Sequence, residues 1–116
     1  MIKSIYLFLL FSPTMVIADM GALLFNGNCA TCHHIHKASS APTIIEIQKR
    51  YKKAFPDKKQ FVEYMSKWVV NPNAATSLMS DKIAKYGLMP HLGFDTSTTR
   101  EIAEYIYNGN IEATTR

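Results

Sequence analysis

Cysteine is scarce in this chain of 116 residues: there are two, Cys29 and Cys32, and no second pair exists elsewhere. A tetrahedral zinc site is therefore short of ligands, because the nearby histidines, His34 and His36, are too crowded to complete the usual spacing. A disulfide between the two cysteines would close too short a loop to stabilise much. Convincing strands are also missing, which removes the strand–turn–helix setting that a thioredoxin-like redox pair needs. No apolar run reaches the ~20 residues that span a bilayer. There is no internal repeat, no low-complexity stretch and no nucleic-acid recognition motif.

What the chain does contain is Cys29-Ala30-Thr31-Cys32-His33. Two cysteines at this spacing followed at once by histidine form the attachment signature of c-type haem. Each thiol can add across one porphyrin vinyl group, and a helical turn presents both sulfurs along one edge of the macrocycle. His33 then points its imidazole at the iron as the proximal ligand. Its second ring nitrogen needs an acceptor to fix the tautomer, and the carbonyl of Pro42, across a polar loop, is the candidate. His34 and His36 are read as solvent-facing residues of that loop.

The amino terminus has the form of a leader. Met1-Ile2-Lys3 is a short basic start, Ile5 to Phe11 is apolar, and Val16-Ile17-Ala18 places small residues ahead of a cleavage point. This predicts a secretory signal peptide over 1–18 and one domain over 19–116. Pro13 breaks the apolar run, against a retained anchor, so no stable membrane insertion is expected after cleavage. Covalent haem attachment of this kind takes place outside the bacterial cytoplasmic membrane, so motif and leader agree on a periplasmic location. Nucleic acid is not an expected partner.

Thirteen Lys and Arg against nine Asp and Glu give a net charge of +4. Lys49, Arg50, Lys52, Lys53, Lys58 and Lys59 form a run interrupted by one acid, Asp57. It reads either as a solvated helix face or as a surface that steers acidic partners to a haem edge.

Helical periodicity organises the rest. Asp19 can cap a first helix whose Gly21, Leu24 and Phe25 share a face. Ile44, Ile47 and Tyr51 predict a helix within Thr43–Phe55, ending before Pro56. Asp57 with Gln60 opens the clearest helix, with Phe61, Tyr64, Met65, Trp68 and Val69 at i, i+3, i+4, i+7 and i+8. Trp68 is a candidate donor of its indole N–H to a haem propionate. Ala74–Tyr86 reads as one weaker helix with Met79 and Ile83 on a face. Gly87 to Gly93 is a loop whose Met89-Pro90 pair can offer a thioether to the open side of the haem, Pro90 keeping Met89 extended. Thr98 to Glu101 reads as a capping box for a terminal helix with Ile102, Tyr105 and Ile106 on one face, ending at Asn108-Gly109.

Together these residues resemble the class I monohaem cytochromes c: a first helix entering Cys29–His33, Pro42 after the motif, Met89-Pro90 late, and a final aromatic-bearing helix. The resemblance implies an all-α fold of four to five helices around one covalently bound haem c. In it the terminal helices cross near the haem, with Gly21, Phe25 and Tyr105 at the matching positions. It also implies His33 as proximal and Met89 as distal iron ligand, with the Pro42 carbonyl bonded to the His33 ring.

The expected function is a one-electron carrier without enzymatic activity, meeting redox partner proteins in transient, steered encounters. Two alternatives stay open: a haem subunit of a larger oxidoreductase, and an open-site ligand-binding haem protein in which Met89 only packs.

Overall fold

The computed structural model describes residues 20–109 and Ile111; the expected leader and the Asp19 cap lie outside the described residues. Five α-helices and one 3-10 turn make up the described chain, with no strand among those residues. α1 (Met20–Asn28) buries Gly21 and Phe25, the positions expected to face inward. α2 (Ile44–Ala54) begins at Thr43, whose hydroxyl accepts the Glu46 N–H at 3.3 Å, and ends at Phe55 before Pro56. α3 (Lys58–Val70) begins at Asp57, whose carboxylate accepts the Gln60 N–H at 3.1 Å. Each cap satisfies a donor that the first helical turn leaves without an intrahelical partner.

Two segments depart from the periodicity. Ala74–Tyr86 is not one helix: a 3-10 turn over Ala74–Thr76 is followed by extended Ser77, and α4 spans Ser80–Tyr86. Short side chains competing for backbone N–H groups explain the break. Asn73 accepts from Ala75 at 2.9 Å, and Ser77 accepts from Met79 at 3.0 Å. The last helix, α5 (Thr96–Asn108), starts earlier than a Thr98 cap would allow. Its cap is Asp95, whose carboxylate takes the Thr98 N–H at 2.7 Å and the Ser97 hydroxyl at 3.0 Å.

The most extensive packing is α3 on α5, followed by α1 on α5. At the first contact the Thr99 hydroxyl, fully buried, donates to the Ser66 carbonyl at 3.0 Å. Aromatic rings extend the core: Phe25 meets Tyr105 at 5.7 Å between centroids, Phe61 meets Tyr107 at 5.1 Å, and Tyr51 meets Phe61 at 5.5 Å. Gly109 ends α5 without adopting a positive φ. It is glycine for a different reason: a Cβ there would lie 2.7 Å from the Tyr105 carbonyl oxygen. The Gln48 amide closes this end of the helix, donating to the carbonyls of Ile106 at 2.6 Å and Gly109 at 2.8 Å.

The assignment of the α5 cap is testable. Asp95 is held below the usual carboxylate range, first by the Thr98 N–H and then by the Thr98 and Ser97 hydroxyls. A carboxyl whose pKa is lower in the folded state stabilises fully above its unfolded value of about 3.9. That contribution is lost as pH falls through the folded value. Asp95→Ala should lower the melting midpoint of the holoprotein by roughly 5 °C at neutral pH. The gap from the parent should close in acid, and Thr98→Ala should shift the midpoint by less than about 2 °C. Equal losses in the two variants would return the cap to Thr98.

Candidate functional site

The helical path of α1 does not stop at Asn28. The N–H groups of Cys29 and Ala30 bond to the Phe25 carbonyl at 2.8 and 3.0 Å, and those of Cys32 and His33 bond to the Cys29 carbonyl at 3.2 and 2.8 Å. One tight turn thus carries both thiols and the imidazole. Cys29 is half-buried against the core and Cys32 is exposed, and neither is in a disulfide. Burial, with Cys32 adding to it, pushes the Cys29 thiol up to about 11. A redox-active pair of the thioredoxin kind needs the opposite, a thiol lowered toward neutrality.

The loop after the turn folds back, and the Ile44 N–H bonds to the His34 carbonyl at 3.0 Å. This closure sets the Pro42 carbonyl oxygen 2.9 Å from Nδ1 of His33. A carbonyl can only accept, so Nδ1 carries the proton and the lone pair of a neutral ring lies on Nε2. Burial lowers the His33 pKa, the Pro42 bond opposes that, and the neighbouring His34 adds to the lowering. The ring is thereby suited to binding a metal through Nε2. His34 and His36 are both exposed in the loop.

Beside this turn lies a cleft of about 360 Å³. Its walls are apolar: Ile44, Ile47 and Tyr51 from α2, Met65, Trp68 and Val69 from α3, and Ile102 and Ile106 from α5. Cys29, Cys32, His33 and Pro42 line it on one side, and Ile83, Tyr86, Met79, Met89 and Pro90 come from the segment around α4. Met89 is half-buried, between Gly87 and Gly93, whose φ values of 86° and 75° suit glycine. Met79, at the start of α4, is 7 % exposed.

Trp68 has a partner within the chain. Its ring lines the cleft, but its indole N–H donates to the Asn73 carbonyl at 3.1 Å, so the expected propionate donor is engaged in the loop that ends α3. The basic run is also divided. None of its members lines the cleft. Arg50 pairs with Asp81 and Glu46, and the Lys52 ammonium sits 4.9 Å from the centre of the Tyr107 ring. The one Lys or Arg among the described lining residues is Lys82, which the sequence reading passed over. Nothing local distinguishes it from other helix lysines; its partner, Glu46 at 3.1 Å, lies on a different helix.

No cluster of three or more His, Cys, Asp or Glu side chains able to hold a metal ion occurs among the described residues. No described helix is long and apolar enough to cross a membrane. The profile of the family described as cytochrome c matches residues 18–109. The chain belongs to the cytochrome c family. A search of curated proteins and a search of solved structures each returned no match.

Cytochromes c carry haem c bound through two thioethers, and the residues of this cytochrome c fit that group. Two free thiols and a neutral imidazole share one turn, and the adjacent cleft is apolar and within the 300–1,000 Å³ range of small-molecule sites. Ile44, Tyr51, Met65, Ile102 and Ile106 belong at once to the buried core and to the cleft wall. With that space empty, the lining side chains lose packing partners and face water, at about 25 cal/mol per Å² of apolar area. Small domains are marginally stable, so the loss is a large one for this chain. Removing both attachment points with Cys29→Ala/Cys32→Ala should therefore leave a poorly folded apoprotein, read as loss of most of the helical circular dichroism. Full native helicity would refute the dependence.

Proposed function

We propose that this cytochrome c is an exported one-electron carrier in which His33 and Met89 are the axial ligands of a single haem. The observation that supports it most directly is the convergence of Cys29, Cys32, His33 and Met89 on one apolar cleft. When bound, haem supplies the one-electron couple of its iron; the residues of the chain supply tethering, ligation and exclusion of water. Cys29 and Cys32 would tether the macrocycle through two thioethers. His33, with its Nδ1 proton held by Pro42, offers Nε2 in a fixed orientation. Met89 offers a thioether, which has no proton to exchange near neutral pH and raises the potential relative to other ligand sets. With His33 and Met89 both on the iron, no side chain would be called on as acid or base, and the chain would serve as a carrier rather than an enzyme.

Export follows from the same chemistry. The two thioethers form outside the cytoplasmic membrane, and residues 1–18 have the form of a cleavable leader. Redox partners dock transiently, in the small, weak encounters that permit rapid turnover. N-terminal sequencing of the exported holoprotein should begin at Asp19; a mature chain beginning at Met1 would reject the cleaved leader.

The ligand assignment has a sharp test. Met89→Ala should abolish the low-spin optical spectrum, lower the midpoint potential and open the ferrous protein to carbon monoxide, while the parent binds carbon monoxide only slowly. An unchanged spectrum would remove Met89 from the iron. Prompt carbon monoxide binding by the parent would favour the open-site alternative.

A further inference from the structure

The segment that carries Met89 is joined to the body of the protein in an uneven way. α4 has no buried residue, and its main packing partner is the adjoining 3-10 turn; its contacts with α2, α3 and α5 are sparse. Its larger apolar side chains, Ile83 and Tyr86, line the cleft. What ties α4 to α2 is ionic. The Arg50 guanidinium forks onto Asp81, Nη1 to Oδ1 at 2.5 Å and Nη2 to Oδ2 at 2.6 Å. The same Nη2 reaches Glu46 Oε1 at 3.3 Å, and Lys82 Nζ returns to that oxygen at 3.1 Å. Two charges from each helix close the gap with alternating signs.

A lone exposed ion pair contributes little to stability. A bidentate Arg–carboxylate fork inside a network is the arrangement in which surface pairs count. Here the network engages Asp81 and Lys82, both in the first turn of α4, next to buried Met79. Fixing the first turn of a short rigid helix fixes the direction of its other end, where Gly87 turns the chain and Met89 follows.

We propose that Glu46, Arg50, Asp81 and Lys82 form a positioning network that holds Met89 over the cleft. The proposal rests on Met89 being the distal ligand. Carbon monoxide can bind the ferrous iron only when Met89 is away, so its binding rate in the intact holoprotein reports how often the segment opens. Arg50→Ala and Asp81→Ala should each raise that rate about fivefold at low ionic strength. The double variant should be no faster than either single one, because each substitution breaks the same fork. Added salt should accelerate the parent strongly and the double variant, which keeps only the Lys82–Glu46 pair, much less. Lys67→Ala, which breaks a lone exposed pair with Glu63 within α3, should not change the rate.

Unchanged rates in Arg50→Ala and Asp81→Ala, or additive effects in the double variant, would overturn the proposal. So would an equal acceleration in Lys67→Ala, which would mean general loosening. Met89→Ala separates this failure from failure of the ligand assignment. If Met89→Ala binds carbon monoxide fast and Arg50→Ala does not, the network alone is rejected. If Met89→Ala binds it no faster than the parent, the ligand assignment falls and takes the network with it.

Discussion

The core of this protein is built around a space that its own side chains do not fill, and most of the structure follows from that constraint. α2, α3 and α5 turn Ile44, Tyr51, Met65, Ile102 and Ile106 toward the cleft, and the same residues constitute much of the buried cluster. Behind them, the contacts that need no cofactor are concentrated where α5 meets α1 and α3. Phe25 rests on Tyr105, Phe61 on Tyr107, and the small buried pair Ser66 and Thr99 joins α3 to α5 through one hydrogen bond. Folding and cofactor retention are therefore one problem for this chain. An apolar macrocycle in this cleft would make the helix packing continuous, and thioethers to Cys29 and Cys32 would keep it from leaving.

The two sides of the cleft are held by different physics. On the His33 side every constraint is local and mostly backbone: a turn continuing α1, a loop closed by the bond from Ile44 to His34, and a carbonyl set against the imidazole. Such contacts are insensitive to salt and resist change near neutral pH. On the Met89 side the chain runs through a 3-10 turn, a short helix without buried residues, and a loop bracketed by glycines with positive φ. Side chains anchor this segment. The Tyr64 hydroxyl donates to the Thr76 carbonyl, the Trp68 indole to the Asn73 carbonyl, and Arg50 forks onto Asp81. The His33 side of the cleft is thus built on a rigid platform and the Met89 side on a strap.

What could be read from the sequence follows the same division. The pentapeptide, the α3 cap and the inward faces of α1 and α3 depend on neighbours within one or two helical turns, and periodicity or spacing reveals them. Both departures in helix boundaries arose where short polar side chains compete for the same N–H groups. For α5 the capping box expected at Thr98 gives way to Asp95, an anionic acceptor with two donors in reach. Over 73–79, Asn73 and Ser77 draw backbone donors away from a helix that Met79 and Ile83 alone suggested. Trp68 shows the limit for single side chains. Its face on α3 was legible, but the acceptor of its N–H was not, because that depends on how the loop after Asn71 folds. Asp81, thirty-one residues from Arg50, was invisible as a partner for the same reason, whereas the Glu46–Arg50 spacing of one helical turn could have been noticed.

The ionic strap makes physical sense once the two faces of α4 are considered together. A seven-residue helix has room for one apolar face, and in α4 the residues that could supply it, Ile83 and Tyr86, are turned to the cleft. Those side chains pack against whatever fills the cleft and cannot also pack against α2. The remaining surface is left to charged residues, and α2 meets it with Glu46 and Arg50, on the edge beside its own cleft-facing stripe. This accounts for why Arg50, although part of a basic run, is not free as the run's composition suggested: one of its charges is spent on the fold. α4 itself is consequently attached by interactions of different character, its apolar face toward the cleft and its charged face to α2. Together with the Tyr64 and Trp68 bonds to the turn before it, the ionic contacts tie the Met89 segment to the protein independently of what fills the cleft.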